Sequence, residues 1–336
     1  MYNTTQKLHT FLSVLFCVLA ISLSGQTINL KLKVYLEGAL INSFETTTDG
    51  LPLMRDDLRQ NPHNFQRLIP DQDIYQTINV VNSYTNVDVT SKFTHVACGA
   101  FPQYQTIPNP FGVFDVTGQD AIVDWIFVEL RDKNDFTSVI ATRSGLVQRD
   151  GDVVDLDGVS ALAFPQVPND AYFVIIRHRN HLGVMTSLPI PYENLIEDLD
   201  FRTYNGVSTY DFGNSNNQTN YTGLSMKSMF VNGEEYRALW GGDFDADGLV
   251  SYNADVSDLN VLQMEVAGFD LSQNPQYRVS FTNSVGYLQG DYDMDGRSKF
   301  NFPDDDRNLI LNQVLSYPQN DDVRTNFGHL IEQIPN

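Results

Sequence analysis

The sequence predicts a mainly β chain, with a β-sandwich-like region over residues 27–237 and a small loop-and-helix region over 238–336. Three observations predict it. Ile28, Leu30, Leu32, Val34 and Leu36 alternate with Asn29, Lys31, Lys33 and Tyr35, the period of a strand with one buried face. Val123 to Leu130 is apolar on both faces apart from Asp124 and Glu129, as in a strand at the centre of a sheet. Asp150-Gly151 lies between Gly145-Leu-Val-Gln and Asp152-Val-Val, and Asp-Gly is a favoured pair for a tight hairpin turn.

Taken in order, the chain begins with a segment to be set aside. Lys7 and His9 precede an apolar run from Phe11 to Leu23, followed by Ser24, Gly25 and Gln26. The run is short of the about twenty residues a membrane span needs, and suits a signal peptide, 1–26, cut near Gly25 or Gln26. The chain is therefore expected to be secreted or held at the cell surface, with no transmembrane segment after cleavage. Cys17 sits in mid-run, which argues against a lipid anchor. Residues 50–120 are less regular and rich in Asn, Pro and Gln. Ala171 to Ile176 is a further strand, Asn214 to Tyr221 a polar loop, and Gly233 to Gly242 the expected boundary.

Charge and cysteine narrow the function. The formal net charge of −21 argues against a nucleic-acid partner, which calls for clustered Lys and Arg. From Asp243 onward there are sixteen acidic side chains against five basic ones. Without the leader one cysteine remains, Cys98, so no intramolecular disulfide can form and core area or metal must hold the fold.

The acids are patterned. Asp243, Asp245, Asp247 and Gly248 form one D-x-D-x-D-G run, and Asp291, Asp293, Asp295 and Gly296 another, 48 positions later. Asp258 and Asp306 follow each glycine by ten positions, and both lead into amphipathic segments, Leu259 to Val266 and Arg307 to Leu315. Calcium takes about six to eight oxygens, so alternate carboxylates, a turn-making glycine, a backbone carbonyl and a closing acid can converge on one ion. The expected ligands are Asp243, Asp245, Asp247, Leu249, Ser251 and Asp258 for one Ca2+, and Asp291, Asp293, Asp295, Arg297, Lys299 and Asp306 for a second. Asp255, or Asp304 and Asp305, are alternative closing acids. Asx turns on an acidic face are the plainer reading of either run, but the repetition in register favours metal.

These repeats resemble the half-EF-hand loops of dockerins. They differ in closing at the sixteenth position and in standing further apart, so the resemblance implies calcium and does not support cohesin binding. Met54-Arg-Asp-Asp-Leu-Arg59, Val123 to Arg131, Asp152 to Gly158 and His178 to Met185 resemble segments of a large group of Bacteroidota secreted or surface modules. Some of these are haemagglutinin-like and adhesin-associated. The resemblance covers most of the chain and implies export, a β-rich module and calcium, but no reaction.

Other groups invite a catalytic reading. His178 and His181 could form a metal or acid–base pair; the plainer reading is a hydrogen-bonded corner, with Arg177 or Arg179 paired to acids such as Asp155 or Asp157. Asp155 and Asp157 could also contribute to a third calcium site. Asp124 and Glu129 could be a glycosidase pair, but five positions place them on opposite faces of an ideal strand. Cys98 reads as a packed small residue, and Tyr104, Tyr204, Tyr210 and Tyr221 as ordinary sheet tyrosines that could stack on sugars. No nucleophile elbow, zinc-protease, P-loop or dinucleotide fingerprint occurs. The expected function is a surface or adhesion module that binds a glycan or a cell-surface protein through its β-rich part. The alternatives are a calcium-stiffened structural or anchoring module and a glycan-active hydrolase, and the chain is not expected to be an enzyme.

Overall fold

The computed structural model describes residues 26–78, 92–191, 198–212, 224–253, 257–301, 303–328 and 330–335. Residues 1–25 of the expected leader, the polar loop at 214–221 and Asp255 lie outside them, while Gln26 opens β1. The fold is mainly β. Its strands are β1 (Gln26–Lys33), β2 (Ile122–Asp132), β3 (Val139–Gln148), β4 (Asp152–Val154), β5 (Leu162–Val167), β6 (Ala171–Arg177), β7 (Val184–Met185), β8 (Ile190–Pro191), β9 (Asp198–Asp200), β10 (Lys227–Val231) and β11 (Glu234–Ala238). Nine of them form one sheet: seven follow the hydrogen-bonded order β5-β1-β4-β3-β2-β6-β7, and β8 pairs with β6 and β9 with β1 beside it.

The strand alternation does what the sequence implied: Ile28, Leu30 and Leu32 are buried along β1. The strand stops at Lys33, however, and Val34, Tyr35 and Leu36 are all buried as the chain turns into a short helix, Glu37–Leu40. Tyr35, on the polar side of the alternation, reaches Pro52 O with its hydroxyl. β2 lies between β3 and β6 and is buried on both faces, hence its lack of period. The Asp150-Gly151 hairpin joins β3 to β4, with Gly151 at φ +95°. β4 and β5 pair with successive stretches of β1, and Val154 bridges Ala161 to close the loop between them. That loop holds Asp155 and Asp157. Asp155 pairs with Arg143, and Asp157 accepts from its own Val159 and Ser160 N–H groups, so the recorded bonds of both are structural.

The layer over the sheet comes mainly from irregular chain. Leu36, Met54, Leu58, Ile69, Tyr75, Phe93 and Ile107 join the strand side chains in one core, with Cys98 packed among them. Burial pushes the Cys98 thiol up to about 11, which suits a packed residue. The expected boundary at 233–242 is not an exposed linker. Asn232 and Gly233, both at positive φ, make the turn of the β10–β11 hairpin. From Tyr236 to Gly242 the chain then runs buried into the acidic region.

Two helices follow the acidic loops, Asp258–Gly268 and Asp306–Ser316. Val261, Leu262 and Val266 are buried on the first and Ile310 and Val314 on the second, while Leu259 and Leu315 are half-buried. They share a second core with Trp240, Phe244, Tyr292, Tyr317 and Leu182. Trp240 stacks edge-on against Tyr317 at 5.4 Å and donates to Leu224 O. No helix among the described residues is long and apolar enough to cross a membrane.

Candidate metal centres

Each acidic loop folds back on its own closing carboxylate. In the first, Asp258 Oδ1 accepts from Phe244 N–H (2.6 Å) and Oδ2 from Ser251 N–H (2.8 Å). In the second, Asp306 does the same to Tyr292 N–H (2.7 Å) and Lys299 N–H (2.6 Å). The backbones match as well. Ala246 and Met294 are left-handed at φ +60° and +57°, and Gly248 and Gly296 at +84° and +82°. Asp243, Asp245 and Asp258 thereby bring ligand oxygens within 4.8 Å of one another, all buried, and so do Asp291, Asp293 and Asp306.

Such clusters are costly without a cation. Burial, and then repulsion among neighbouring carboxylates, pushes Asp245 and Asp247 up to about 6. Burial likewise lifts Asp243 and Asp293 to about 6, against the pull of Lys92 and Arg55 respectively. Asp258, Asp291 and Asp306 are pushed well above the carboxylate range by burial and by the other Asp residues. Asp295 Oδ1 is buried without a hydrogen-bond partner. Oxygen donors converging in a buried, anionic cluster with an orphaned carboxylate oxygen fit a hard metal ion.

The remaining expected ligands fall into three groups. Asp247 lies outside the tight triad, accepting from Leu249 N–H at 2.7 Å, and Asp295 accepts from Lys299 Nζ at 2.8 Å. Leu249 and Arg297 sit on short antiparallel bridges whose bonds run through the residues on either side of them. Alternation along a strand turns their own carbonyls to the loop side. Lys299 is occupied differently: its carbonyl accepts from Asp306 N–H and its ammonium pairs with Asp295, so its recorded bonds brace the loop. Ser251 likewise bonds Asp258. Among the alternative closing acids, Asp305 caps its helix by accepting from Asn308 N–H, which leaves Asp306 in the cluster.

The bridges show how the repeats are joined. Val250 N–H donates to Leu330 O and Glu332 N–H to Gly248 O, pairing the first loop with the segment after the second helix. Ser298 N–H donates to Ser284 O and Gly286 N–H to Gly296 O, pairing the second loop with the segment after the first helix. Each repeat's trailing strand completes the other repeat's loop. The duplication therefore extends past the helices, at a spacing of 46 rather than 48: Asn274, Arg278 and Phe281 match Asn320, Arg324 and Phe327. Asn274 and Asn320 play one role, each taking an N–H from the Arg four positions on and giving bonds to the end of the preceding helix.

Residues of the β-rich part clamp both loops. Asn180 O accepts from Gly242 N–H just before the first loop, while its Nδ2 donates to Gln289 O and Asp291 O at the second. Lys92 pairs with Asp243 and Glu332. Arg55 donates to Asp293 O, and Asn61 Nδ2 to Asp295 O at 2.9 Å. Glu37 is buried and accepts from Gly241 N–H, Tyr292 Oη, Lys227 Nζ and Gln313 Nε2. None of these clamps carried a local sequence signal, because each acts across a long stretch of chain.

The histidine corner belongs to this clamp. His181 Nε2 accepts from Gly38 N–H, its Nδ1 lies 3.0 Å from His178 Nδ1, and His178 Nε2 lies 3.2 Å from Asp124 Oδ2. Burial lowers His178 and holds His181 well below its usual value, so both rings are neutral near pH 7. With both rings neutral, His181 Nδ1–H is shared between Asn180 Oδ1 at 2.8 Å and His178 Nδ1, and His178 Nε2–H is given to Asp124. The corner is hydrogen-bonded as its plainer reading had it, with different acids from those expected. Arg177 pairs with Glu129 and Glu332, and Arg179 with Asp124. Asp124 and Glu129 join separate networks, Asp124 with Tyr287 and Glu129 with Arg131. Comparison with protein-family models, curated proteins and solved structures finds no match to this chain.

Proposed function

We propose that the chain is an exported surface or adhesion module whose two acidic loops bind Ca2+, and that it recognises a glycan or a protein partner through its β-rich part. The observation that carries this reading is the clamping of two buried aspartate clusters by Arg55, Asn61, Lys92 and Asn180 from that part. Ions placed there would lock the repeats onto the sheet and hold its surface loops still, lowering the ordering cost of binding. Calcium is the favoured ion because the donors are all oxygens converging from an irregular loop, a geometry calcium accepts, whereas magnesium demands a smaller octahedral shell. The leader-like segment supports export. Probing a glycan array and a cell-surface binding assay with the calcium-loaded chain tests the recognition part of the reading, and failure to bind in both counts against it. A purely structural or anchoring role is the second reading, favoured by the burial of the triads, which leaves them little access to an outside ligand.

A further inference from the structure

Between the loop 58–68 and the short helix Pro110–Phe114 lies an open cleft of about 380 Å³, lined by Arg59, Gln60, Arg67, Phe111, Phe114 and Asp115. The geometry points to this cleft as a binding site for a short uncharged saccharide, an assignment that rests on the glycan form of the function proposed above. Its size falls within the range of small-ligand sites. Phe111 stands 81% exposed at the cleft, an apolar ring face offered to water without a packing role of comparable size. Around it stand the groups that pair with sugar hydroxyls: two planar guanidinium donors, an amide and a carboxylate.

The donors are already positioned. Arg59 is held by Asp56 and by Phe114 O at 3.0 Å. Arg67 lies over the Phe114 ring, 4.3 Å from its centre, and pairs with Asp71. Fixed side chains pay little entropy on binding. Their charges are answered by Asp56 and Asp71 in a chain of net charge −21, which favours an uncharged ligand over an acidic one.

The cleft wall is also the part of the sheet cover that grips the second acidic loop. The loop closes on itself through Leu68 N–H to Leu58 O and Asn61 N–H to Gln66 O. One flank, Asn61 and Leu68, fills the space beside Gly296, where a Cβ would meet Asn61 at 1.9 Å and Leu68 at 2.6 Å. The other flank, Arg59, Gln60 and Arg67, lines the cleft. An ion in the second loop therefore supports the wall of the saccharide site through Asn61.

An array of neutral and uronate-bearing oligosaccharides, probed with the full chain in calcium and followed by calorimetry of the hits, tests this. A neutral hit is expected, weakened roughly tenfold or more by Phe111→Ala and by Arg67→Ala, with calcium stoichiometry unchanged in both and melting temperature unchanged in Phe111→Ala. Asn61→Ala is expected to weaken it several-fold in saturating calcium. A hit untouched by Phe111→Ala and Arg67→Ala overturns the site and leaves glycan recognition standing. Hits confined to uronates overturn the assignment of an uncharged ligand, and an array with no hit overturns both the site and the glycan reading beneath it.

Discussion

Ahead of the first acidic loop, Gly241 N–H is held by Glu37, which comes from the β-rich part. Ahead of the second, Gln289 and Gly290 N–H are held by Glu265, from the helix of the first repeat. Gln313 stands 48 positions after Glu265, where the second repeat would carry its own acid, and instead donates to Glu37. The duplicated sequence supplies the same ligands twice, and the fold recruits the missing carboxylate from wherever it can reach. The first loop is thereby tied directly to the sheet. The second is tied to its sister repeat through Glu265 and to the β-rich part through Asn180, Asn61 and Arg55.

The largest expected effect treats the loops alike. Removing calcium with a chelator should lower the melting temperature by more than about 10 °C, since an ion present at a thousand times its Kd contributes about 4 kcal/mol per site. Calcium should restore the melting curve and magnesium should do so poorly. A curve indifferent to chelator breaks the calcium reading of both loops.

Next comes the dependence of one loop on the other. Asp258→Ala and Asp306→Ala should each abolish one ion in a titration and weaken the remaining one by about tenfold, because each loop is completed by the other repeat's trailing strand. Retention of a second ion at its full original affinity in both variants would show that the exchanged strands transmit nothing.

A smaller effect should separate the loops. Glu37→Gln should weaken the first ion more than the second, which it reaches only through the Tyr292 hydroxyl, and Glu265→Gln should weaken the second, the main effect in each being about 1–2 kcal/mol as a buried acceptor is partly lost. Equal weakening of both ions by either change would erase the distinction between sheet-tied and repeat-tied loops.

The smallest and most graded effect is with pH. The ion-free folded state holds Asp243, Asp245, Asp247 and Asp293 up at about 6, above their unfolded values. Protonation therefore stabilises the ion-free fold fully below the unfolded pKa, and this stabilisation is lost as pH rises through about 6. Calcium requires the carboxylates deprotonated. The gap in melting temperature between loaded and chelated protein should thus be widest above about pH 7 and shrink as pH falls through 6. A constant gap down to about pH 5 would contradict the shared burial of these acids.

What the sequence made legible was what is local. The strands around Ile28, Val123 and Ala171 and the Asp150-Gly151 turn follow from side-chain period and turn chemistry over a few residues. The two acidic loops and their closing acids follow from spacing repeated at 48 positions. The supports were hidden because Glu37, Arg55, Asn61 and Lys92 reach the loops across most of the chain, and no neighbour announces such a contact. Two signals were present and passed over. Asn232-Gly233 is as good a hairpin pair as Asp150-Gly151, and it places the β10–β11 hairpin at the expected boundary. The trailing Asn274-to-Phe281 stretch repeats as Asn320 to Phe327, obscured only because its spacing slips from 48 to 46.

The exchanged strands have a consequence for ancestry and engineering. Leu249 is met by Ile331 and Arg297 by Val285, so each loop, though closed by its own acid, has its backbone edge paired by the other repeat. A single repeat in isolation would expose an unpaired strand edge beside an unfinished loop. Two copies of that repeat could finish each other by the same exchange, which is the self-complementary contact of a two-fold dimer. The tandem arrangement has the logic of such a dimer with its two subunits joined into one chain. The first repeat with its trailing segment, Gly241 to Gly286, excised as an independent peptide, is accordingly expected to pair with itself rather than persist as a monomer.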